Sequence, residues 1–424
     1  MRIVPCMMFL LIAMLCARAQ GADLSGTWQA DSKPQRVIKI NKNGRGYRGD
    51  FYHVGMEQPI MPRSDSVSTI AVSGNTVHFS LDKAQGTFDG TVSNDGKTLT
   101  GTWSMFYFPS QPITFNRVSK KDEWVLDASP HKIDFVTVQK GVKLEVLDWG
   151  GNGSPLVFLA GLDSTGHSFD GFAEKFTSKH HVYAITRRGF GASTVAPLVN
   201  ANYDADRMGD DVVAVLEALH INKPVLAGHS IGGQELSSVG TRYPSRIAGL
   251  IYLEALHPYA FSNPTERDLN LDAALVRRNL DKLQIVGSST VKLTALIKET
   301  QSAILNLEQS LKDTAAGLHN VEYPLERQGL SDLAADRIAA NPRRYNAAAV
   351  PILAIIAVPR RCEPDCDSPA MKQIMADDSA RADLFEKSAA HTRVVRIAKA
   401  SHYIWRSNEA QVEKEMDTFM DGLH

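Results

Sequence analysis

The run Pro224-Val-Leu-Ala-Gly-His-Ser-Ile-Gly-Gly233 constrains this chain more than any other stretch. An apolar segment enters Gly228-His-Ser-Ile-Gly232 and a helix-like segment leaves it, the layout of a nucleophile elbow. Such a turn holds Ser230 in a strained backbone conformation at the carboxyl end of a buried strand. Glycine is needed at 228 and 232 because a Cβ at either place would collide with the neighbouring strand or helix. The Ser230 hydroxyl is then exposed, and the amide of Ile231, at the helix start, points to where an oxyanion would form.

A serine hydroxyl is a poor nucleophile near neutral pH, so this reading requires a histidine base and a carboxylate to orient it. The C-terminal end supplies the histidine. Thr392 to Ile397 alternates like a strand and is followed by Ala398-Lys-Ala-Ser-His402, then by a helical tail from Glu409 to Leu423. His402 therefore falls on a loop after the last strand, and the chain order is serine, acid, histidine.

With these residues, the segment from about Val136 to the C-terminus resembles an α/β-hydrolase. Leu156-Val-Phe-Leu-Ala-Gly-Leu162 is similar to the strand that ends in that family's oxyanion turn, with Ala160 where His is common. Val182-Tyr-Ala-Ile-Thr186 runs into Arg187-Arg-Gly-Phe-Gly-Ala-Ser193, similar to the family's Asp-x-Arg-Gly-x-Gly-x-Ser turn, with Thr186 where Asp is frequent. Ser401-His-Tyr403 resembles the motif around the base. The resemblance implies an α/β class chain: an α/β-hydrolase fold with a helical cap, here preceded by a small antiparallel β domain. It implies an oxyanion hole made by the amides of Leu162 and Ile231, acyl transfer to water, a small-molecule substrate and no cofactor. The departure at Ala160 leaves a backbone donor intact, and that at Thr186 is expected to change a structural contact only.

The resemblance leaves two places for the acid. The common one follows Val350-Pro-Ile-Leu-Ala-Ile-Ile-Ala357, where Glu363, Asp365 and Asp367 lie. The other is the end of the preceding strand, Gly249-Leu-Ile-Tyr-Leu-Glu254. A lone Glu at the end of an apolar strand is costly without a partner, which favours Glu254; Asp365 is the alternative, Glu254 then binding backbone amides or capping the cap entry.

Other polar residues have structural readings. His229 is expected to pack or hydrogen-bond behind the elbow, opposite to Ser230, and Arg187 and Arg188 to bond nearby carbonyls. Asp163-Ser-Thr165 lines a pocket or caps the next helix. His180-His181 has no further ligand at suitable spacing, so no metal is expected.

Length and composition agree with an enzyme of more than one domain. The 424 residues are 43% hydrophobic, enough for sizeable cores, and the formal net charge is -1 with no basic stripe, which argues against nucleic acid as a partner. No sequence signature of oligomerisation is present. Residues 1–22 read as a signal peptide: Arg2, an apolar run from Cys6 to Leu15, and Ala17-Arg-Ala19 or Ala22 for cleavage. The run is short for a transmembrane helix, so stable membrane insertion is not expected, and the protein is expected to be periplasmic or extracellular. In an oxidising compartment Cys362 and Cys366 are expected to form a disulfide.

Residues 23–118 differ in composition. Short alternating stretches, such as Arg36 to Ile40, Thr76 to Ser80 and Thr98 to Trp103, are divided by turns at Asn43-Gly44, Gly74-Asn75 and Asn94-Asp-Gly96. This predicts an antiparallel β module resembling lipocalin-like Gly-Thr-Trp domains. Gly26-Thr-Trp28 and Gly101-Thr-Trp103 read as equivalent turns near its two ends, which suggests closure. It would bind an apolar ligand or surface, or serve only as a stabilising appendage. Residues 119–130 read as a linker, 131–424 as the hydrolase domain, and about 258–345 as its cap, with amphipathic segments at Asp272 to Leu283 and Val291 to Leu311.

Function therefore has three readings: an exported serine hydrolase of carboxylic esters or related acyl bonds, an aminopeptidase of the proline-iminopeptidase type, and a binding protein on a hydrolase scaffold.

Overall fold

The computed structural model describes residues 23–30, 35–44, 46–54, 65–81, 86–105, 108–120, 129–256, 260, 267–285, 290–317, 330–345, 348–360, 362, 366–388 and 391–423. Residues 1–22, expected to be a signal peptide, and Glu363 and Asp365 lie outside them. The chain divides into two compact units.

The first unit is an antiparallel closed barrel of eight strands: β1 (Gly26–Ala30), β2 (Gln35–Asn43), β3 (Gly46–Val54), β4 (Asp65–Ser73), β5 (Thr76–Leu81), β6 (Gly86–Val92), β7 (Thr98–Met105) and β8 (Phe108–Arg117). Alternation puts Trp28, Phe51, Phe79, Phe88, Trp103 and Phe115 inside, all buried, so aromatic side chains fill the interior. Phe51 stacks on Trp103 and Phe79 on Phe88, each pair with ring centroids 4.8 Å apart. The two Gly-Thr-Trp segments are not turns. They lie within β1 and β7, because in-register pairing continues through both, and closure is made by β1 against β8, with Trp28 opposite Arg117. Gly90 faces Gly101 across β6 and β7 so closely that a Cβ on Gly101 would stand 2.2 Å from the carbonyl oxygen of Asp89.

The second unit holds an eight-stranded sheet: β9 (Lys132–Gln139), β10 (Val142–Gly150), β11 (Ser154–Leu159), β12 (His180–Ile185), β13 (Val225–His229), β14 (Gly249–Leu253), β15 (Ile352–Ile356) and β16 (Thr392–Arg396). Its order is β16-β15-β14-β13-β11-β12-β10-β9. The first two strands of the chain segment pair antiparallel and β10 pairs antiparallel with β12; the remaining pairs are parallel. Strands β13, β14 and β15 are buried throughout, as apolar runs covered on both faces must be.

This order places the elbow strand β13 between β11, which leads to the oxyanion turn, and β14, which ends at Glu254. Between β14 and β15 come the helices Leu269–Ile285, Thr290–Gly317 and Leu330–Ala339, in the region expected for the cap. Asp272, buried in the first of them, accepts from Ser310 Oγ at 2.6 Å and from Arg344 at 2.9 Å, which ties the first two helices to the return segment. Among the described residues, no helix is long and apolar enough to cross a membrane.

Candidate active site

Ser230 follows the last residue of β13 and has φ 50°, a left-handed conformation unusual for a residue with a Cβ. Its amide donates to the Leu253 carbonyl at 3.1 Å, and the helix Gly232–Arg242 starts two residues later. Close packing makes both glycines necessary. A Cβ on Gly228 would stand 2.8 Å from the Leu236 side chain, and one on Gly232 would stand 2.9 Å from the Leu159 carbonyl oxygen.

The turn after β11, expected to be the oxyanion turn, runs beside this serine. A Cβ on Gly161 would lie 3.4 Å from Ser230 Cβ and 2.7 Å from His229 Nδ1, so the chain passes between those two side chains just before the Leu162 amide. Arg187 holds the turn in place. Its guanidinium donates to the carbonyls of Ala160 at 2.7 Å and Gly161 at 3.1 Å, and forms a bidentate pair with Glu235 at 2.7 and 2.6 Å. Both partners are buried. Glu235 sits in the first turn of the elbow helix, so one ion pair fixes the oxyanion turn to the element that carries the Ile231 amide. Sequence reading singled out Arg187 but not Glu235, whose only signal was its place three residues after the Ser-Ile-Gly turn.

His229 lies behind the elbow, as expected. Its Nε2 donates to the His402 carbonyl at 2.9 Å, and its ring packs on Tyr403 and Trp405 with centroids 4.8 and 4.7 Å away. Burial and then the neighbouring His402 hold its pKa well below 6.5, so it is a neutral donor that anchors the histidine loop.

His402 and Glu254 come together. Nδ1 of His402 is 3.5 Å from Oε2 of Glu254, and the other carboxylate oxygen accepts from the amide of Ala357. Glu254 follows β14 with φ 49°, its amide donating to the Ile355 carbonyl at 2.9 Å. Its carboxylate thus reaches both the histidine and the backbone of the next strand's end, making the contacts that each of the two alternative readings of Glu254 requires. Cys362 and Cys366 form a disulfide in the loop where Asp365 lies. A cavity of about 430 Å3 opens beside Glu254 and His402, lined among others by Leu256, Arg360, Asp378 and Ser401.

The remaining polar residues are structural. Arg188 is fully buried in a bidentate pair with Asp211, both contacts 2.6 Å, and donates to the Asn202 carbonyl. Thr186 Oγ1 donates to Glu145 at 2.6 Å and accepts from the Gly166 amide at 3.0 Å, bridging β10 to the segment after the oxyanion turn. Thr165 makes no side-chain capping bond to the short helix that follows it, contrary to the capping expectation. His180 bonds Ser154 and His181 bonds Asp148, so the two rings serve separate contacts.

Residues 156–415 match the alpha/beta hydrolase family. Human epoxide hydrolase 4 is 29% identical over 164 residues, which is 38% of this chain and 44% of the relative. The bifunctional esterase/perhydrolase DCH of Acinetobacter calcoaceticus is 32% identical over 137 residues, 32% of this chain and 49% of the relative. The sn-1-specific diacylglycerol lipase ABHD11 of Danio rerio is 31% identical over 112 residues, 26% of this chain and 34% of the relative. The chain thus spans less than half the length of each of these curated relatives.

Proposed function

Because the chain belongs to the alpha/beta hydrolase family, we propose that it is a serine hydrolase that cleaves a carboxylic ester or related acyl bond through an acyl-enzyme. The observation that supports this reading is the left-handed backbone at Ser230, the conformation a nucleophile elbow requires, together with a histidine beside a carboxylate on the loop after β16.

In the proposed reaction His402 takes the Ser230 proton on Nε2 as the oxygen attacks the carbonyl carbon, and Glu254 holds the imidazole through Nδ1. The amides of Ile231 and Leu162 stabilise the oxyanion, each donor of this kind being worth about 3 kcal/mol. Collapse gives the proton to the leaving alcohol, and water, deprotonated by the same histidine, then cleaves the acyl-enzyme.

The names of the relatives include epoxide and ester hydrolysis. A serine nucleophile separates the two. Attack of an alkoxide on an epoxide carbon forms an ether, which water does not readily cleave, whereas attack on an ester forms an acyl group that it does. The chemistry of Ser230 therefore favours acyl substrates.

Export is part of the proposal. Residues 1–22 have the composition of a signal peptide, and the Cys362–Cys366 disulfide suits an oxidising compartment.

The test is reaction of the mature protein with a fluorophosphonate, followed by peptide mass mapping. One adduct on Ser230, absent from Ser230→Ala, is expected. If the protein neither takes the label nor turns over any p-nitrophenyl ester, the reading fails and a binding role replaces it.

A further inference from the structure

Away from the serine, three side chains from separate stretches converge where the chain enters β9. His131 immediately precedes that strand, His167 lies in the short turn of helix Gly166–Phe169, and Asp170 opens the next one. Nδ1 of His131 is 3.5 Å from Oδ1 of Asp170, and Nδ1 of His167 is 3.5 Å from Oδ2 of the same carboxylate. One donor atom from each residue lies within 4.8 Å of the others. His167 Nδ1 and Asp170 Oδ1 are buried with no hydrogen-bond partner.

We propose that His131, His167 and Asp170 form a binding site for a divalent transition-metal ion of the Zn2+ type.

Two observations support an ion rather than a plain polar cluster. The first is spacing. Both nitrogen-to-oxygen separations exceed an ordinary hydrogen bond. Each is close to the roughly 3.4 Å that metal bonds of about 2.0–2.2 Å span at the tetrahedral angle, and because the two histidines face different oxygens of Asp170, an ion between them would be held by the carboxylate as a whole. The second is the surrounding shell. A ligating histidine ordinarily offers its other ring nitrogen to a carboxylate, and Oε1 of Glu145 faces Nε2 of His167 at 3.7 Å. Glu145 is buried and is itself held by Thr186 Oγ1. Trp149 closes one side, its ring centroid 5.0 Å from that of His131. Two imidazoles and one carboxylate suit zinc, with water or another small ligand completing the sphere.

Burial opposes charge on His167, but the carboxylates of Asp170 and Glu145 outweigh it and lift the pKa to about 10. Metal binding must displace that proton. The bound ion would cross-link the entry of β9 to the segment that continues from the oxyanion turn. This revises the expectation of no metal, which considered His180-His181 and the Cys362/Cys366 pair: the first ligand is far from the other two in sequence, and His-x-x-Asp by itself is a common helix-start pattern.

The test is calorimetric titration of the chelator-treated full chain with ZnCl2, beside His167→Gln, Asp170→Asn and, as a control, His181→Gln. Wild type and the control are expected to bind about one equivalent, and the two ligand variants none. Glu145→Gln is expected to weaken binding by about 10–100-fold. Circular dichroism establishes which variants are folded, and Co2+ provides a readout on the wild type itself, by quenching fluorescence that Trp149→Phe removes. The proposal is overturned if the wild type binds no stoichiometric Zn2+, if folded His167→Gln and Asp170→Asn variants bind as tightly as wild type, or if Co2+ leaves the Trp149 emission unchanged.

Discussion

Glu254 Oε2 lies 3.5 Å from Nδ1 of His402, while the second oxygen of the same carboxylate accepts the amide proton of Ala357. The strand ends of β14 and β15 and the loop after β16 are thereby tied together by one side chain. In the proposed mechanism the imidazole is oriented by Glu254 rather than by Asp365.

Glu254→Gln is accordingly expected to lower kcat on an activated ester by on the order of 10^4, because an amide can stabilise the wrong tautomer and cannot balance the imidazolium charge. Asp365→Asn should stay within a few-fold of wild type. Steady-state kinetics of both variants on p-nitrophenyl esters decides between the acids; the reverse ranking would give the role to Asp365.

Arg187→Ala leaves Glu235 buried without its partner and frees the carbonyls of Ala160 and Gly161. A loss of about 3–5 kcal/mol is expected in urea unfolding. Replacing both partners by Met and Leu should recover most of the stability, since the uncompensated charge is gone, but not kcat, since the oxyanion turn is no longer held. Equal recovery of both would show that the pair serves stability alone.

Gly101→Ala should destabilise the barrel. The new methyl would meet the Asp89 carbonyl oxygen at 2.2 Å and Gly90 Cα at 2.5 Å, both backbone atoms of the adjacent strand, so β6 and β7 would have to separate. Overpacking of this kind costs typically about 1–3 kcal/mol. Thermal unfolding followed by near-ultraviolet dichroism of the barrel aromatic residues reads the change, and an unshifted midpoint would contradict the close approach.

His229 makes stability depend on pH in a defined window. Its folded pKa is depressed below the unfolded value of 6.5, so below that pH the unfolded chain binds a proton that the native chain excludes. Its contribution is therefore fully present above about 6.5 and is lost as pH falls, at a slope approaching 1.4 kcal/mol per pH unit. His229→Gln retains a donor without the titration. Between about pH 6.5 and 5 the variant should lose less stability than wild type, as measured by urea midpoints; parallel pH profiles would exclude this source.

Much of the fold was legible because its signals are local. Continuous apolar runs mark β13, β14 and β15, and Gly-x-Ser-x-Gly marks the elbow since only glycine fits the close approaches around it. In the barrel, turn residues at Gly44, Gly74 and Gly96 mark the hairpins, each with positive φ. The Gly-Thr-Trp segments were misread as turns because Gly101 meets a close strand neighbour and Gly26 has φ 130°, needs that look the same in sequence as a turn.

The chain by itself determined the elbow with Ser230, the loop that carries His402 and the helical stretch between β14 and β15, through periodicity and glycine. Only the tertiary structure decided that Glu254 meets His402, that Glu235 anchors Arg187, and that His131 joins His167 and Asp170. The physical reason is that a hydrogen bond or ion pair forms between side chains brought within a few ångströms by packing of distant strands and helices. Residue type limits which of them can pair, but strand order and backbone direction select the partner.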